Sequence, residues 1–147
     1  MKHTEPIYDL LQINIDRVID YEKASVQTLV QEVNSFFAEM AAQSRAFVNQ
    51  LQKLIRTEGD EPTEGTSERG KIYTRWADVK TSLNADEKKS LLSVCEKGEI
   101  ATHDSYALAL KKYDGAGDEV RRIIESQKNL LEKTFKEIKN IRNRFSI

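Results

Sequence analysis

The sequence predicts an all-α fold, and three observations lead to this expectation. Apolar residues recur at alternating intervals of three and four over most of the 147-residue chain, which is the spacing of helices packed into a bundle. Only 6 Gly and 2 Pro are present, so few turns interrupt the periodic segments. No stretch shows the strict alternation of a half-buried strand. We therefore expect one four-helix-bundle domain over residues 1–147, with a long crossover between the second and third helices.

The first helix is predicted from about Pro6 to Ser25. Proline suits the first turn of a helix, because the amide hydrogen that it lacks would have no partner there. Asn14 and Glu22 are the polar residues that we place on or beside the otherwise apolar inner face of this helix. The residues of the predicted inner face are spaced by three or four: Ile7, Leu10, Leu11, Asn14, Val18 and Tyr21.

The second helix is predicted after a short turn at residues 25–28. It carries the strongest periodic signal in the chain, an unbroken rhythm of four and three that indicates one continuous buried side. Seven residues make up this run: Val33, Phe37, Met40, Ser44, Phe47, Leu51 and Leu54.

The crossover begins where this periodicity stops. Residues 57–70 concentrate three glycines and a proline among acidic and hydroxyl residues, which predicts a surface loop. A shorter helix is expected from about Lys71 to Leu83, and this connection is long enough for the third helix to run parallel to the second. Within it, Trp76 with Tyr73 is predicted to seal the end of the bundle, with stacking on a ligand as the alternative.

The third helix is predicted from about Asp86 to Tyr113, and a turn at Asp114–Asp118 ends it and caps the fourth helix. The predicted inner positions of the third helix are Leu92, Cys95, Glu99, Thr102, Tyr106, Leu110 and Tyr113. Those of the fourth helix are Val120, Ile124, Gln127, Leu131, Thr134, Ile138 and Ile141.

Composition narrows the possible functions. The formal net charge of -1 gives no overall attraction for nucleic acid or anionic lipid, so we expect neither partner. Cys95 is the single cysteine, which excludes a disulfide within the chain and a cysteine-rich zinc site. No stretch approaches the ~18 apolar residues of a membrane span, and the segment Met1–Pro6 lacks the apolar run of a signal peptide. We expect a cytoplasmic protein.

Glu99 is the most informative single residue, because it occupies a position where the helical pattern asks for an apolar side chain. Burying an unpaired carboxylate costs several kcal/mol or forces the group to take up a proton. Glu99 is therefore expected to be paired with another group, bound to a metal ion or incompletely buried. Its neighbour Gly98 costs a helix about 1 kcal/mol relative to alanine. Close packing of another element or a local bulge that reorients Glu99 would explain it.

Each helix carries a polar residue in or beside its apolar side, and these residues predict one polar layer across the bundle: Asn14 or Glu22, Ser44, Glu99 and Gln127. Bundles that hold two iron or manganese ions use about four carboxylates and two imidazoles, with Glu-x-x-His on two helices. That motif is absent, and no nucleophile and base form a catalytic set. His103, four residues after Glu99, makes a weak metal site conceivable from Glu22, Glu96, Glu99 and His103. We expect no cofactor, with iron or manganese as the alternative.

The fourth helix ends in a basic run, Lys133, Lys136, Lys139, Arg142 and Arg144. Such a run is able to meet phosphate groups or acidic lipid. The simpler interpretation is that cations are favoured at a helix C-terminus by the macrodipole, with Glu132 and Glu137 interleaved among them.

Several segments together resemble an uncharacterised bacterial family of ferritin-like four-helix-bundle proteins, a domain of unknown function. The first two helices contribute Asn14-x-Asp16, Tyr21-Glu22-Lys23-Ala24 and the segment Met40–Arg45. The crossover contributes Arg75-Trp76, and the third helix contributes Cys95-Glu96-Lys97-Gly98-Glu99 followed by Tyr106. The resemblance covers nearly the whole chain. It implies a ferritin-like bundle, and it brings no established activity with it.

These observations favour a non-enzymatic protein that acts through surface contacts in a bacterial physiological or stress response. A homodimer and an unknown protein partner are the expected interactions. The alternative is an atypical metal-carboxylate protein that binds metal or performs redox chemistry with Glu99 and its neighbours.

Overall fold

A computed structural model describes residues 5–61, 76, 83–84, 90–112 and 118–145. These residues form four helices, which we label α1 (Glu5–Ser25), α2 (Gln31–Thr57), α3 (Leu91–Lys112) and α4 (Asp118–Arg144). No strand occurs among the described residues. Over the described residues, the prediction of an all-α fold with four long helices is confirmed.

The contacts of α1 fix the directions of α2 and α3. Ser25 near the end of α1 accepts a hydrogen bond from Asn34 near the start of α2, so the two helices are antiparallel and joined by a tight turn. On α3, Glu99 lies beside Tyr21 and the later residue Tyr106 lies beside Asn14. The third helix is therefore also antiparallel to α1, and α2 and α3 run parallel.

The fourth helix runs antiparallel to α2 and closes the bundle. Gln127 in the first half of α4 bonds to Gln50 near the end of α2, while Arg144 at the end of α4 pairs with Glu32 at the start of α2. The helices thus have the directions up, down, down, up. This arrangement requires a long connection between α2 and α3.

The predicted inner faces of α2 and α4 are confirmed, since all fourteen residues that we assigned to them are buried. On α1 two assignments were wrong. Glu22, which we placed on or beside the inner face, is exposed. Val18 is only half-buried, and Arg17 takes the inner position with none of its surface exposed. On α3, Leu110 is likewise half-buried, and its neighbour Ala109 is fully buried in its place.

The third helix begins at Leu91, later than the predicted start at Asp86. Ser90 lies outside the helix, and its hydroxyl accepts a hydrogen bond from the backbone amide of Ser93 at 3.2 Å. This is the contact of an N-cap serine, which satisfies one of the amides that the first turn leaves unpaired.

Several predicted features fall outside the described residues: the loop beyond Glu61, the helix predicted at Lys71–Leu83 apart from Trp76 and Leu83, the inner position Tyr113, and the turn at Asp114–Gly117. Within the part that is described, no helix is both long and apolar enough to cross a membrane.

Candidate functional site

A buried ion pair joins α1 to α3 in the middle of the bundle. Arg17 Nη2 donates to Glu99 Oε1 at 2.6 Å, and the two side chains are 0% and 2% exposed. The position of Arg17 follows from spacing, because Leu10, Asn14, Arg17 and Tyr21 alternate by four and three along α1. The carboxylate that the sequence places in the core is therefore compensated by a guanidinium from the neighbouring helix.

Side chains of α2 accept further hydrogen bonds from the two terminal nitrogens of the guanidinium. Arg17 Nη1 donates to Ser44 Oγ at 2.6 Å and to Gln43 Oε1 at 3.2 Å, and Nη2 also lies 3.8 Å from Met40 Sδ. The guanidinium carbon is 5.3 Å from the centre of the Tyr21 ring, at a distance where a cation is attracted to an aromatic face. Three helices thus surround one cation.

Burial and charge shift the pKa values of this cluster in consistent directions. Burial is the largest single effect and lowers the pKa of Arg17, but the charge and hydrogen bond of Glu99 together with Tyr21 and Tyr106 outweigh it and leave that pKa raised, so the guanidinium stays charged. Tyr21 donates its hydroxyl to Glu99 Oε1 at 2.8 Å. Burial and then the Glu99 charge raise the pKa of Tyr21 well above its usual value, which keeps this hydroxyl protonated.

A chain of hydrogen bonds continues from Arg17 to the opposite side of the bundle. Ser44 donates to Asn14 Oδ1 at 2.9 Å, and Asn14 Nδ2 donates to Tyr106 Oη at 2.9 Å. Tyr106 in turn donates to Gln127 Oε1 at 2.5 Å, and Gln127 Nε2 donates to Gln50 Oε1 at 2.8 Å. In each of these hydrogen bonds the donor is the residue nearer to Arg17. Such alignment lets each bond polarise the next one.

Two atoms of the ion pair remain without a partner among the described residues. Arg17 Nε and Glu99 Oε2 are buried and make no hydrogen bond there. The pair is therefore joined end-on through Nη2 and Oε1 rather than as a bidentate fork. An unpaired polar atom at a charged buried group costs free energy of order 1–3 kcal/mol or more.

Trp76 covers α3 at the level of the ion pair. A Cβ atom added to Gly98 would lie 2.7 Å from two carbons of the indole, so only glycine leaves room for this ring. The indole nitrogen donates to Thr102 Oγ1 at 3.1 Å, and the ring meets Tyr21 edge-on at 5.3 Å between centroids. Helix α3 continues without interruption through Gly98. Close packing, rather than a bulge, accounts for this glycine.

The four metal-ligand candidates face different partners. Glu22 pairs with Arg45 on the surface, Glu96 pairs with Arg142 at 2.9 Å, and His103 lies 3.3 Å from Glu132. Glu99 pairs with Arg17. In the described ranges, no three His, Cys, Asp or Glu residues come close enough together to hold a metal ion. The structure does not bring these candidates to one point.

The four residues of the predicted polar layer do belong to one network. Asn14 and Ser44 are bonded directly, Tyr106 connects Asn14 to Gln127, and Arg17 connects Ser44 to Glu99. Sequence reasoning missed both connecting residues as polar members. The signal for Arg17 is its spacing from Asn14 and Tyr21, whereas the predicted inner face has Val18 in that position.

The chemistry that this arrangement supports is internal charge compensation. Arg17, Tyr21 and Glu99 are at most 3% exposed, so the described groups present no charged or nucleophilic atom of this cluster to solvent. Two charges and a directed chain of neutral donors tie all four helices together. A polar layer of this kind favours one register of the helices over others.

Comparison with protein families gives one match. The model for a domain of unknown function (DUF2383) matches residues 3–112, a range that contains α1, α2 and α3 and all the segments that carried the sequence resemblance. Comparison with curated proteins gives no match.

Proposed function

We propose a non-enzymatic contact function for this chain, which belongs to the DUF2383 family of domains of unknown function. In this proposal the protein is a ferritin-like bundle of bacterial, cytoplasmic origin that acts by binding another protein in a physiological or stress response. The parallel directions of α2 and α3 support the ferritin-like assignment, because that fold has one long crossover.

The observation that carries the proposal is the ion pair of Arg17 and Glu99. In carboxylate bundles that hold metal ions, the inner glutamates bind cations in the same part of the fold. Here a guanidinium supplies the positive charge, held by Glu99 at 2.6 Å and Ser44 at 2.6 Å. A second cation at Glu99 would be repelled by Arg17 in a medium of low dielectric constant. The buried pair therefore favours a structural role for the core, and we infer that the protein functions through contacts made by its surface.

Elemental analysis of untagged protein tests this proposal. Iron, manganese and zinc are measured as purified and after anaerobic loading and desalting, in the wild type, in Glu99→Gln and in the exposed control Glu58→Gln. We expect no stoichiometric metal in any of them. One or two equivalents that are retained by the wild type and the control, and lost in Glu99→Gln, would overturn the proposal.

An atypical metal-carboxylate function is the second candidate, and one observation favours it. Glu99 Oε2 is buried and has no hydrogen-bond partner among the described residues, so it has a lone pair to offer. The same loading experiment decides between the two candidates, since this one requires iron or manganese to be retained by the wild type.

A further inference from the structure

A shallow apolar cavity lies on the surface between α3 and α4. Its volume is about 240 Å³, and its walls are formed by Ile100, His103, Glu132, Phe135 and Lys136. Ile100 is 38% exposed and Phe135 is half-buried, so apolar carbon faces solvent along the cavity. We call this feature the α3/α4 groove.

Contacts between the two helices border the groove at both ends. At one end, His103 of α3 lies 3.3 Å from Glu132 of α4, which also accepts from Lys128 of its own helix at 2.9 Å. At the other end, Arg142 pairs with Glu96 at 2.9 Å. These contacts hold α3 and α4 together above and below the cavity, so the groove is bordered by fixed elements rather than by a loop.

A row of lysines without carboxylate partners runs along the same stretch of α4. Lys133, Lys136 and Lys139 are exposed, and none of them forms an ion pair with a described residue, whereas Lys128 and Arg142 on the same helix do. Lys139 Nζ lies 4.8 Å from the centre of the Phe135 ring, which keeps this cation beside the apolar surface. Lys136 forms part of the groove wall and Lys139 lies beside its Phe135, so two lysines without a carboxylate partner among the described residues border the groove, whereas Lys133 lines a neighbouring cavity.

We propose that the α3/α4 groove binds an acidic amphipathic helix of a protein partner. Lys136 and Lys139 are three residues apart, or about 4.5 Å of helix, and carboxylates at positions i and i+3 or i+4 of a partner helix cover about the same length. An apolar side chain of that helix would lie between Ile100 and Phe135. This inference rests on the proposed contact function and names the chemistry of the partner.

The same observations do not favour a membrane surface. Recognition of anionic lipid by basic segments uses clusters of about 4–8 Lys or Arg. Among the described residues, two lysines without a carboxylate partner border the groove, Lys136 and Lys139, and the apolar surface beside them is a concavity with room for one or two side chains. Negative charge on a partner helix would also orient that helix on the lysines and speed its association with the chain.

Fluorescence anisotropy with a synthetic peptide tests the proposal. The probe is a fluorescein-labelled peptide of about 18 residues composed of Glu, Leu and Ala, with the Glu and Leu residues at helical spacing on adjacent faces. The control peptide has Lys in place of each Glu. We expect the full-length chain to bind the acidic peptide, with affinity that falls as salt is raised, and to leave the basic peptide unbound.

Matched variants locate the binding site. Ile100→Gln and Lys136→Glu change exposed residues of the groove, and each is expected to weaken peptide binding by about tenfold. Leu29→Gln and Lys53→Glu change an exposed apolar residue and an exposed lysine elsewhere, and their affinity is expected to stay at the wild-type value. The fluorescence of the single tryptophan verifies that each variant is folded.

Two results would overturn the proposal: equal peptide affinity in the groove variants and their controls, or no binding of the acidic peptide. Vesicles of phosphatidylserine and phosphatidylcholine identify the other source of negative charge. If the chain binds them, loses this in Lys136→Glu and ignores the peptide, the groove is a lipid site instead. The peptide assay does not depend on the metal content of the protein. Failure of the groove proposal is therefore distinguishable from failure of the contact function, which the metal analysis tests.

Discussion

At the scale of single residues, the two inner tyrosines illustrate how burial controls protonation. Tyr21 donates to the charged Glu99, and Tyr106 lies between Asn14 and Gln127. Burial raises the pKa of Tyr106, as it does that of Tyr21, because a phenolate in the core would lose its hydration. Both side chains therefore stay neutral in the folded chain at pH values where an exposed tyrosine ionises.

Alkaline unfolding is expected to reveal these raised pKa values. The stability that comes from the neutral tyrosines is fully present below the unfolded pKa of about 10 and is lost as the pH rises towards the folded pKa. The free energy of unfolding should then fall by about 1.4 kcal/mol per pH unit for each buried tyrosine. Urea titrations from pH 9 upward (roughly one unit below that unfolded pKa) measure this slope.

Phenylalanine variants assign the slope to individual residues. Tyr21→Phe and Tyr106→Phe should each make the pH dependence shallower by about 1.4 kcal/mol per pH unit, whatever they cost at neutral pH. Slopes that equal the wild-type slope in both variants would show that exposed groups cause the alkaline transition.

At the scale of elements, the contact between Trp76 and Gly98 joins the crossover to α3. Helix propensity alone favours alanine over glycine by about 1 kcal/mol. At Gly98 the added Cβ would lie 2.7 Å from atoms of the indole, and these atoms belong to a rigid ring that is 1% exposed. Overpacking of this kind typically costs about 1–3 kcal/mol.

We therefore predict that Gly98→Ala lowers the free energy of unfolding and changes the emission of Trp76, the single tryptophan. The smaller side chain of Trp76→Leu removes the clash, so in that background the same alanine should be neutral or stabilising. Urea unfolding of the four proteins measures both effects. A stabilising Gly98→Ala in the wild-type background would contradict the packing at this contact.

Helix periodicity predicted most of the elements because the inner faces of α2 and α4 are nearly all apolar. It failed where a polar group decides the outcome. The start of α3 depends on a hydrogen bond to Ser90, which the spacing of apolar residues does not register. Arg17, not Val18, occupies the inner position of α1. Val18 was predicted there because arginine is almost always exposed unless it has a buried partner, and the sequence does not identify that partner.

At the scale of the whole molecule, the polar layer ties four helices into one arrangement. The sequence predicted a layer through Asn14, Ser44, Glu99 and Gln127, but not the cation that connects Ser44 to Glu99. Pairing between residues 82 positions apart is a property of the folded bundle, and a single sequence does not contain it. The role of Glu99 changes as a result, from an isolated carboxylate to one half of an ion pair.

This pairing sets the expected cost of removing either charge. Taking away one partner of a buried ion pair leaves the other uncompensated and typically costs about 3–5 kcal/mol. Glu99→Gln would leave the guanidinium of Arg17 without its counter-charge, and Arg17→Met would leave the Glu99 carboxylate without a cation. Removing both charges at once avoids this cost.

The most direct measurement is a double-mutant cycle of unfolding free energies in urea with Arg17→Met, Glu99→Gln and the combined variant. Each single change should destabilise the chain by about 3 kcal/mol or more. The combined variant should be less destabilised than the sum of the two, with a coupling energy of about 2–3 kcal/mol. Effects that add to within about 0.5 kcal/mol would contradict the account, because Arg17 and Glu99 would then not compensate each other in the core.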